Sequence, residues 1–392
     1  MAHHRAGPST SGVSARLAKR ESERIESLDG LRGLASLVVV IRHTTNAIAI
    51  PWDLLRRLVE GPLALLLNTQ GAVQLFFVLS GYVLAASLER QTGLVALGAF
   101  YVRRAFRIHP PYVVTVLAYW MLSAFFVTSN TGDITPWVIS SARVRLDVHH
   151  LMLSLRFPGY AFGLVPHGWT LKIEMIFSFL LPLMLLIARR THWLVLLVLS
   201  ALALRLGKNW QIFWYSIDFT LGVIAYLERD RTRRWLTGVP TWLSCGLVLG
   251  SLYLFAAPLF LGWSQPAPAL GVLIAGNTPL EILIMAIGSA ALVSLAVDVP
   301  WWHRLLATRP VLFLGKISFS LYLLHRVLIT LAAPRIDTSL AWLDALLLYA
   351  VVLGGSIPLA ALFYRLVERP SILAGKSLGA WLETRVGARL GS

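Results

Sequence analysis

The chain has 392 residues, of which 57% are hydrophobic and 14% charged, and its mean hydropathy is +0.69. Soluble domains carry about 25% charged residues, so this composition excludes a water-soluble globular protein, a disordered chain and a cysteine-stapled secreted scaffold. The net charge of +16 does not point to nucleic acid, because no basic run is interleaved with aromatics in a soluble segment. Basic residues crowding the cytoplasmic loops of a membrane protein account for it. The expected medium is the lipid bilayer. The single cysteine, Cys245, lies in an apolar block, which excludes an internal disulfide and suits a packing role.

In chain order, residues 1–28 form a polar, basic tail, and no short apolar region with a small-residue cleavage site follows it. Apolar blocks of bilayer length, roughly 20 residues, then give ten expected spans: 29–50, 70–88, 111–128, 169–188, 191–206, 211–227, 241–262, 279–298, 311–331 and 341–365. Segments 51–69 and 129–168 interrupt them, the second carrying Asp133, Arg143, Arg145, Asp147, His149, His150, Arg156 and His167. With a cytoplasmic N-terminus the inner segments hold 21 Lys and Arg against 7 in the outer ones, a positive-inside bias that puts both termini in the cytoplasm. The expected fold is an all-α bundle of about ten membrane helices. The expected organisation is a tail at 1–28, a membrane domain at 29–370 and a cytoplasmic C-terminal tail at 371–392.

Ionisable groups inside such spans cost several kcal/mol unless they face protein or water. In the first span Arg32 and His43 are eleven residues apart. At 100° per residue that separation returns to within about 20° of the same azimuth, with a rise of about 16.5 Å. Arg32 alone suits a snorkelling anchor and His43 alone a histidine bonded to a neighbouring helix; together they suggest a site. Arg42 points elsewhere and is expected to pair within the bundle. The segment 89–110, expected as a cytoplasmic loop, carries Arg103, Arg104 and Arg107, suited to bidentate phosphate contacts or to plain topology and lipid head groups. Glu174, in the fourth span with Lys172 nearby, could orient an imidazole, pair with Arg42 or form a structural ion pair. Asp218 and Glu281 suit structural pairing, His325 is a weaker catalytic candidate than His43, and Ser80-Gly81 suits close helix packing. A Walker loop, a Gly-x-Ser-x-Gly elbow, a His-Glu-x-x-His pair and a cysteine pair for metal are all missing. His149-His150 without partners is not a metal site, so no metal is expected.

Arg32 with His43, Gln74–Gly81, Arg104-x-x-Arg107-Ile108-x-Pro110, Trp169-Thr170-Leu171-x-x-Glu174, Gly315–His325 and Val367-Glu368-Arg369-Pro370 occur in that order. In this the chain resembles the acyltransferase-3 family of polytopic membrane O-acyltransferases, over roughly residues 27–370. The resemblance implies a cytoplasmic acyl-CoA donor, acetyl-CoA by default, used as a co-substrate with no permanently bound cofactor. It implies transfer to a hydroxyl of a glycan, often presented across a bacterial inner membrane. It implies catalytic importance for His43 and Arg32 and CoA-phosphate binding by Arg104 and Arg107; the mechanism expected beside it adds Arg32 to the phosphate contacts and Glu174 as a group orienting the His43 ring. Lys172 departs from the family pattern. Some relatives carry an additional C-terminal hydrolase-like domain, which this chain is expected to lack. Two other functions are weighed: acylation of a lipid-linked or antibiotic hydroxyl, and a proton-coupled transporter using His43, Glu174 and Asp218. The latter usually shows inverted repeats, and none is visible. Oligomeric state is not legible from the sequence.

Overall fold

The structure is a computed structural model that describes residues 10–390 apart from 49, 62, 90, 92, 127–134, 143–147, 157–164, 207–210, 264, 268–271, 275–277 and 339. Asp133, Arg143, Arg145 and Asp147 therefore lie outside the described residues. Helix α1 (Thr10–Asn46) runs from the polar tail through the first apolar block without a break; α2 (Trp52–Glu60) and α3 (Ala64–Leu67) lead to α4 (Thr69–Glu89) and α5 (Leu94–Leu122). Short helices α6 (Pro136–Ala142) and α7 (Val148–Arg156) precede α8 (Gly168–Arg190), α9 (Trp193–Leu206), α10 (Ser216–Leu227) and α11 (Arg229–Leu236). Then come α12 (Thr241–Phe260), α13 (Pro279–Asp298), α14 (Pro300–Leu306), α15 (Arg309–Ala332), α16 (Ala341–Phe363) and α17 (Arg369–Leu390), the last two joined by a π-helical turn. An antiparallel hairpin of three-residue strands, β1 (Gln265–Ala267) and β2 (Val272–Ile274), is the β structure among the described residues. The all-α expectation stands on this.

Among the described residues, seven helices are long and apolar enough to cross a membrane. The fifth and sixth expected spans fall on α9 and α10, which are apolar but shorter. One expectation is corrected. Residues 94–110 are not a loop: α5 begins after Gly93, whose φ of 87° suits a residue without Cβ, and continues through Pro110 and Pro111. Prolines end helices in water, but in a membrane bundle the freed carbonyls find partners on neighbouring groups. The C-terminal segment is helical. Helix α17 lies along α5, with a Cβ at Gly375 or Gly379 meeting Phe106 and Arg103 respectively, and Ser371 Oγ donating to the Phe106 carbonyl.

Lipid tails are as apolar as leucine, so these helices are held by close packing and interhelical bonds rather than by the hydrophobic effect. Two glycine crossings set the frame. A Cβ on Gly33 would come within 2.4 Å of the Gly315 nitrogen, and one on Gly315 within 2.2 Å of the Asp29 carbonyl oxygen, so α1 and α15 touch backbone to backbone. A Cβ on Gly81 or Gly222 would meet Phe219 O at 2.4 Å or Val78 O at 2.2 Å, which does the same for α4 and α10 and agrees with the packing role expected of Ser80-Gly81. Around this second crossing Phe219 stacks on Phe77 and Phe177 at centroid distances of 5.3 and 4.6 Å. Glu281 is held locally: Thr278 caps α13 by accepting from its amide at 3.2 Å and donating to its carboxylate at 2.9 Å.

Candidate functional site

A cavity of about 440 Å³ opens between α1, α4, α5, α8, α15 and α17. Five cations line it, Arg32, Arg103, Arg104, Arg107 and Lys376, with the two carboxylates Asp29 and Glu174. Its remaining wall is mostly apolar or hydroxylic, including Phe76, Ser80, Phe100, Thr170, Phe319 and Tyr322. Arg32, Arg104, Arg107 and Glu174, chosen from three separate stretches of sequence, are brought together here, and their charges act on one another. Arg32 donates to Asp29 at 3.0 Å, one turn back on the same helix.

Among the described residues Glu174 makes no hydrogen bond to an imidazole or to Arg42. It accepts from Arg104 Nη2 at 2.7 Å and from Ser80 Oγ at 3.3 Å, while Arg104 also donates to Ser178 Oγ at 3.0 and 3.2 Å. Helix α5 carries Arg104 into the bundle, where the α8 carboxylate is its nearest counter-charge; Arg42 is buried on the other side of α1, near Tyr349. Arg107 makes no ion pair or hydrogen bond among the described residues, so its fork of donors is available to a ligand. Its carboxylate neighbour is Glu368, buried on the π turn and accepting from Ser320 Oγ at 2.6 Å.

His43 is not among the residues lining this cavity. It stands behind the wall formed by Thr170 and Tyr322, whose hydroxyls bond at 2.7 Å, with the Tyr322 hydroxyl also donating to the His167 carbonyl at 3.3 Å. Beyond Tyr322 lies a group of imidazoles. The Tyr322 ring centroid is 5.0 Å from that of His167 and 5.9 Å from that of His325; His325 stacks on His43 at 5.1 Å, with 2.8 Å between His43 Nδ1 and His325 Nε2. Trp137 covers His43 at 5.1 Å and carries the Arg326 guanidinium over its face at 3.8 Å. His167, just ahead of α8, is buried, and burial pushes its imidazole well below the ordinary value. Asp218, expected to pair structurally, has neither carboxylate oxygen bonded to a side chain among the described residues. No group of His, Cys, Asp and Glu suited to a metal occurs among them either.

Several site residues escaped the sequence reading. Lys376 and Ile372 line the cavity from α17, which the Gly375-x-x-x-Gly379 spacing could have revealed as a packing helix. Tyr322 and Glu368 lie inside motifs that were visible, but nothing in their spacing says that one walls the cavity and the other meets Ser320.

The arrangement is that of a multi-pass helical membrane protein with a cation-lined cavity backed by paired imidazoles. The family model described as "Acyltransferase domain" matches residues 25–365, and the chain belongs to that family, the acyltransferase-3 family. A Staphylococcus aureus (strain COL) protein named Putative O-acetyltransferase SACOL0978 is 24% identical over 380 residues, covering 88% of this chain and 57% of that protein. Nodulation protein 10 of Rhizobium leguminosarum bv. viciae is 26% identical, covering 90% and 95%. Acyltransferase MdmB of Streptomyces mycarofaciens is 25% identical, covering 88% and 91%. The chain thus spans a little over half the length of the staphylococcal relatives. No solved structure matches it.

Proposed function

We propose that this protein is a membrane O-acyltransferase that moves an acyl group, acetyl by default, from acyl-CoA to a hydroxyl of a saccharide such as a surface polysaccharide or O-antigen unit. The observation that carries the reading is the convergence of five cations on one cavity, one of them, Arg32, on the helix that bears His43. The names of the relatives support O-acetyl transfer, and the basic cavity suits a polyphosphate donor. Arg107 and Arg32 hold phosphates, and Arg104 stays oriented by Glu174 and Ser178. The thioester end reaches past Tyr322 toward His43. There His43 takes the proton of the acceptor hydroxyl as the oxygen attacks the thioester carbonyl; a C–O bond forms, the C–S bond breaks, and the departing thiolate takes the proton back from the imidazolium. General-base help of this kind is worth about 10²–10⁴-fold.

The donor mouth faces the cytoplasm, with both termini on that side of a bacterial inner membrane. A lipid-linked or antibiotic hydroxyl is the alternative acceptor. The transporter reading loses its relay, because Glu174 is bonded to Arg104 and Ser80 rather than to His43 or Asp218. Acyl transfer from labelled acetyl-CoA by the purified protein in liposomes is the test. His43→Ala and Arg32→Ala proteins that fold and keep the wild-type rate would end this assignment.

A further inference from the structure

The imidazole pair carries more than proximity. His325 Nδ1 lies 3.1 Å from the carbonyl oxygen of Leu321, one turn earlier on α15. A carbonyl offers only lone pairs, so the hydrogen on this imidazole belongs on Nδ1; a bare Nδ1 there would set two lone pairs against each other. The neutral ring then has a lone pair on Nε2, the atom 2.8 Å from His43 Nδ1. That bond needs a hydrogen, and His43 Nδ1 has to supply it. The proton on neutral His43 is thereby placed on Nδ1 and the lone pair on Nε2, which makes no hydrogen bond to the protein among the described residues. We propose that His325 is a positioning residue that fixes His43 as its Nδ1–H tautomer and so makes Nε2 the atom that accepts the proton from the acceptor hydroxyl.

The same bond acts after proton transfer. When His43 becomes an imidazolium, its Nδ1–H still points at a lone pair, so the new charge meets an acceptor rather than a second donor. Without His325 the ring is free to carry its proton on Nε2, and that form cannot act as base from that atom. The other described groups around the pair do not supply this contact. The Arg326 side chain, stacked on Trp137, has only donors. His167 lies 5.2 Å from His325 ring to ring, and its contact with Tyr322 is edge to face. The Tyr322 hydroxyl is engaged with Thr170. The helix frame explains how two distant residues meet so closely: Gly33 and Gly315 touch, and His43 and His325 each follow ten residues later, so α1 and α15 run parallel in register.

The inference rests on the acyltransferase reading for its purpose but not for its geometry, so the test has two arms on the full chain in lipid nanodiscs. In the first, histidine-selective ¹⁵N labelling reads the tautomer of His43, assigned by its loss in His43→Gln. The expected result is a protonated Nδ1 and a bare Nε2, with the preference lost in His325→Phe. A wild-type His43 protonated on Nε2 would overturn the inference. In the second arm, acetyl transfer from acetyl-CoA is measured for His325→Phe, His325→Asn and His325→Gln. The Gln amide places an oxygen where Nε2 stood, whereas the Asn amide reaches only the Nδ1 position. Expected is a fall in kcat of about 10²–10⁴-fold for Phe and Asn, with KM for acetyl-CoA unchanged and Gln restored to within about tenfold. Full kcat in a folded His325→Phe protein, or equal loss in Gln and Phe proteins of wild-type melting temperature, would overturn it. The expected tautomer in a wild-type protein that transfers no acyl group would uphold the imidazole geometry and refute the acyltransferase reading alone.

Discussion

Substituting Gly315 by alanine tests whether the backbone contact between α1 and α15 aligns the site. The added Cβ would lie 2.2 Å from the Asp29 carbonyl oxygen and 2.6 Å from its carbonyl carbon, both backbone atoms, whereas ordinary contact begins at 3.4 Å. The helices must part by the difference, about 1.2 Å. Because they run parallel, the displacement carries to the histidine pair ten residues on and stretches its 2.8 Å bond to about 4 Å, beyond hydrogen-bonding range. Overpacking of this kind costs about 1–3 kcal/mol, and loss of the bond about 1 kcal/mol more. The protein should melt earlier in detergent and its acetyl-transfer kcat should fall toward that of His325→Phe. Gly354→Ala is the control, since nothing lies within 4 Å of a Cβ there. A Gly315→Ala protein with the stability and kcat of the Gly354→Ala control would refute the reasoning.

Removing Arg107 as Arg107→Ala should raise KM for acetyl-CoA by about one to two orders of magnitude, since a hydrogen bond to a charged group is worth about 1.5–3 kcal/mol; an unchanged KM across a salt series would remove it from the donor site. Asp218→Asn should leave acetyl transfer intact and raise the melting temperature, because it relieves a buried carboxylate whose oxygens hydrogen-bond to no side chain among the described residues; a loss of activity would show that the carboxylate is in use. Glu383→Ala breaks a partly exposed pair with Arg103 at 3.0 Å and should cost only about 0.2–1 kcal/mol, measurable as a small shift of the melting curve; collapse of the fold would mean that α17 hangs on this contact. His167 is held below the ordinary imidazole value by burial, so the folded chain binds fewer protons there than the unfolded one. Its contribution to stability is therefore present above about pH 6.5 and lost as pH falls below it. His167→Gln should flatten the acid side of a melting-temperature profile, and an unaltered profile would exclude this source.

The helical membrane class was legible because apolar blocks of bilayer length separate polar stretches, and no water-soluble fold tolerates that pattern. The relative azimuth of Arg32 and His43 follows from helical periodicity within α1, though of the two only Arg32 lines the cavity. Periodicity says nothing of which helix lies opposite. That Glu174 meets Arg104, that Tyr322 stands between the arginines and His43, and that His325 bonds to His43 are facts of interhelical register. Here the register is set by glycine contacts such as Gly33 on Gly315, in which no side chain signals the partner. Local rules misled at Pro110-Pro111. In the bilayer a proline's missing bond is made good by neighbouring helices, and α17 is held by its packing on α5 rather than by its own hydropathy. Composition determined the solvent this chain folds in, and one helix's period determined how Arg32 and His43 stand in azimuth; close backbone approach between helices far apart in sequence decided what meets them.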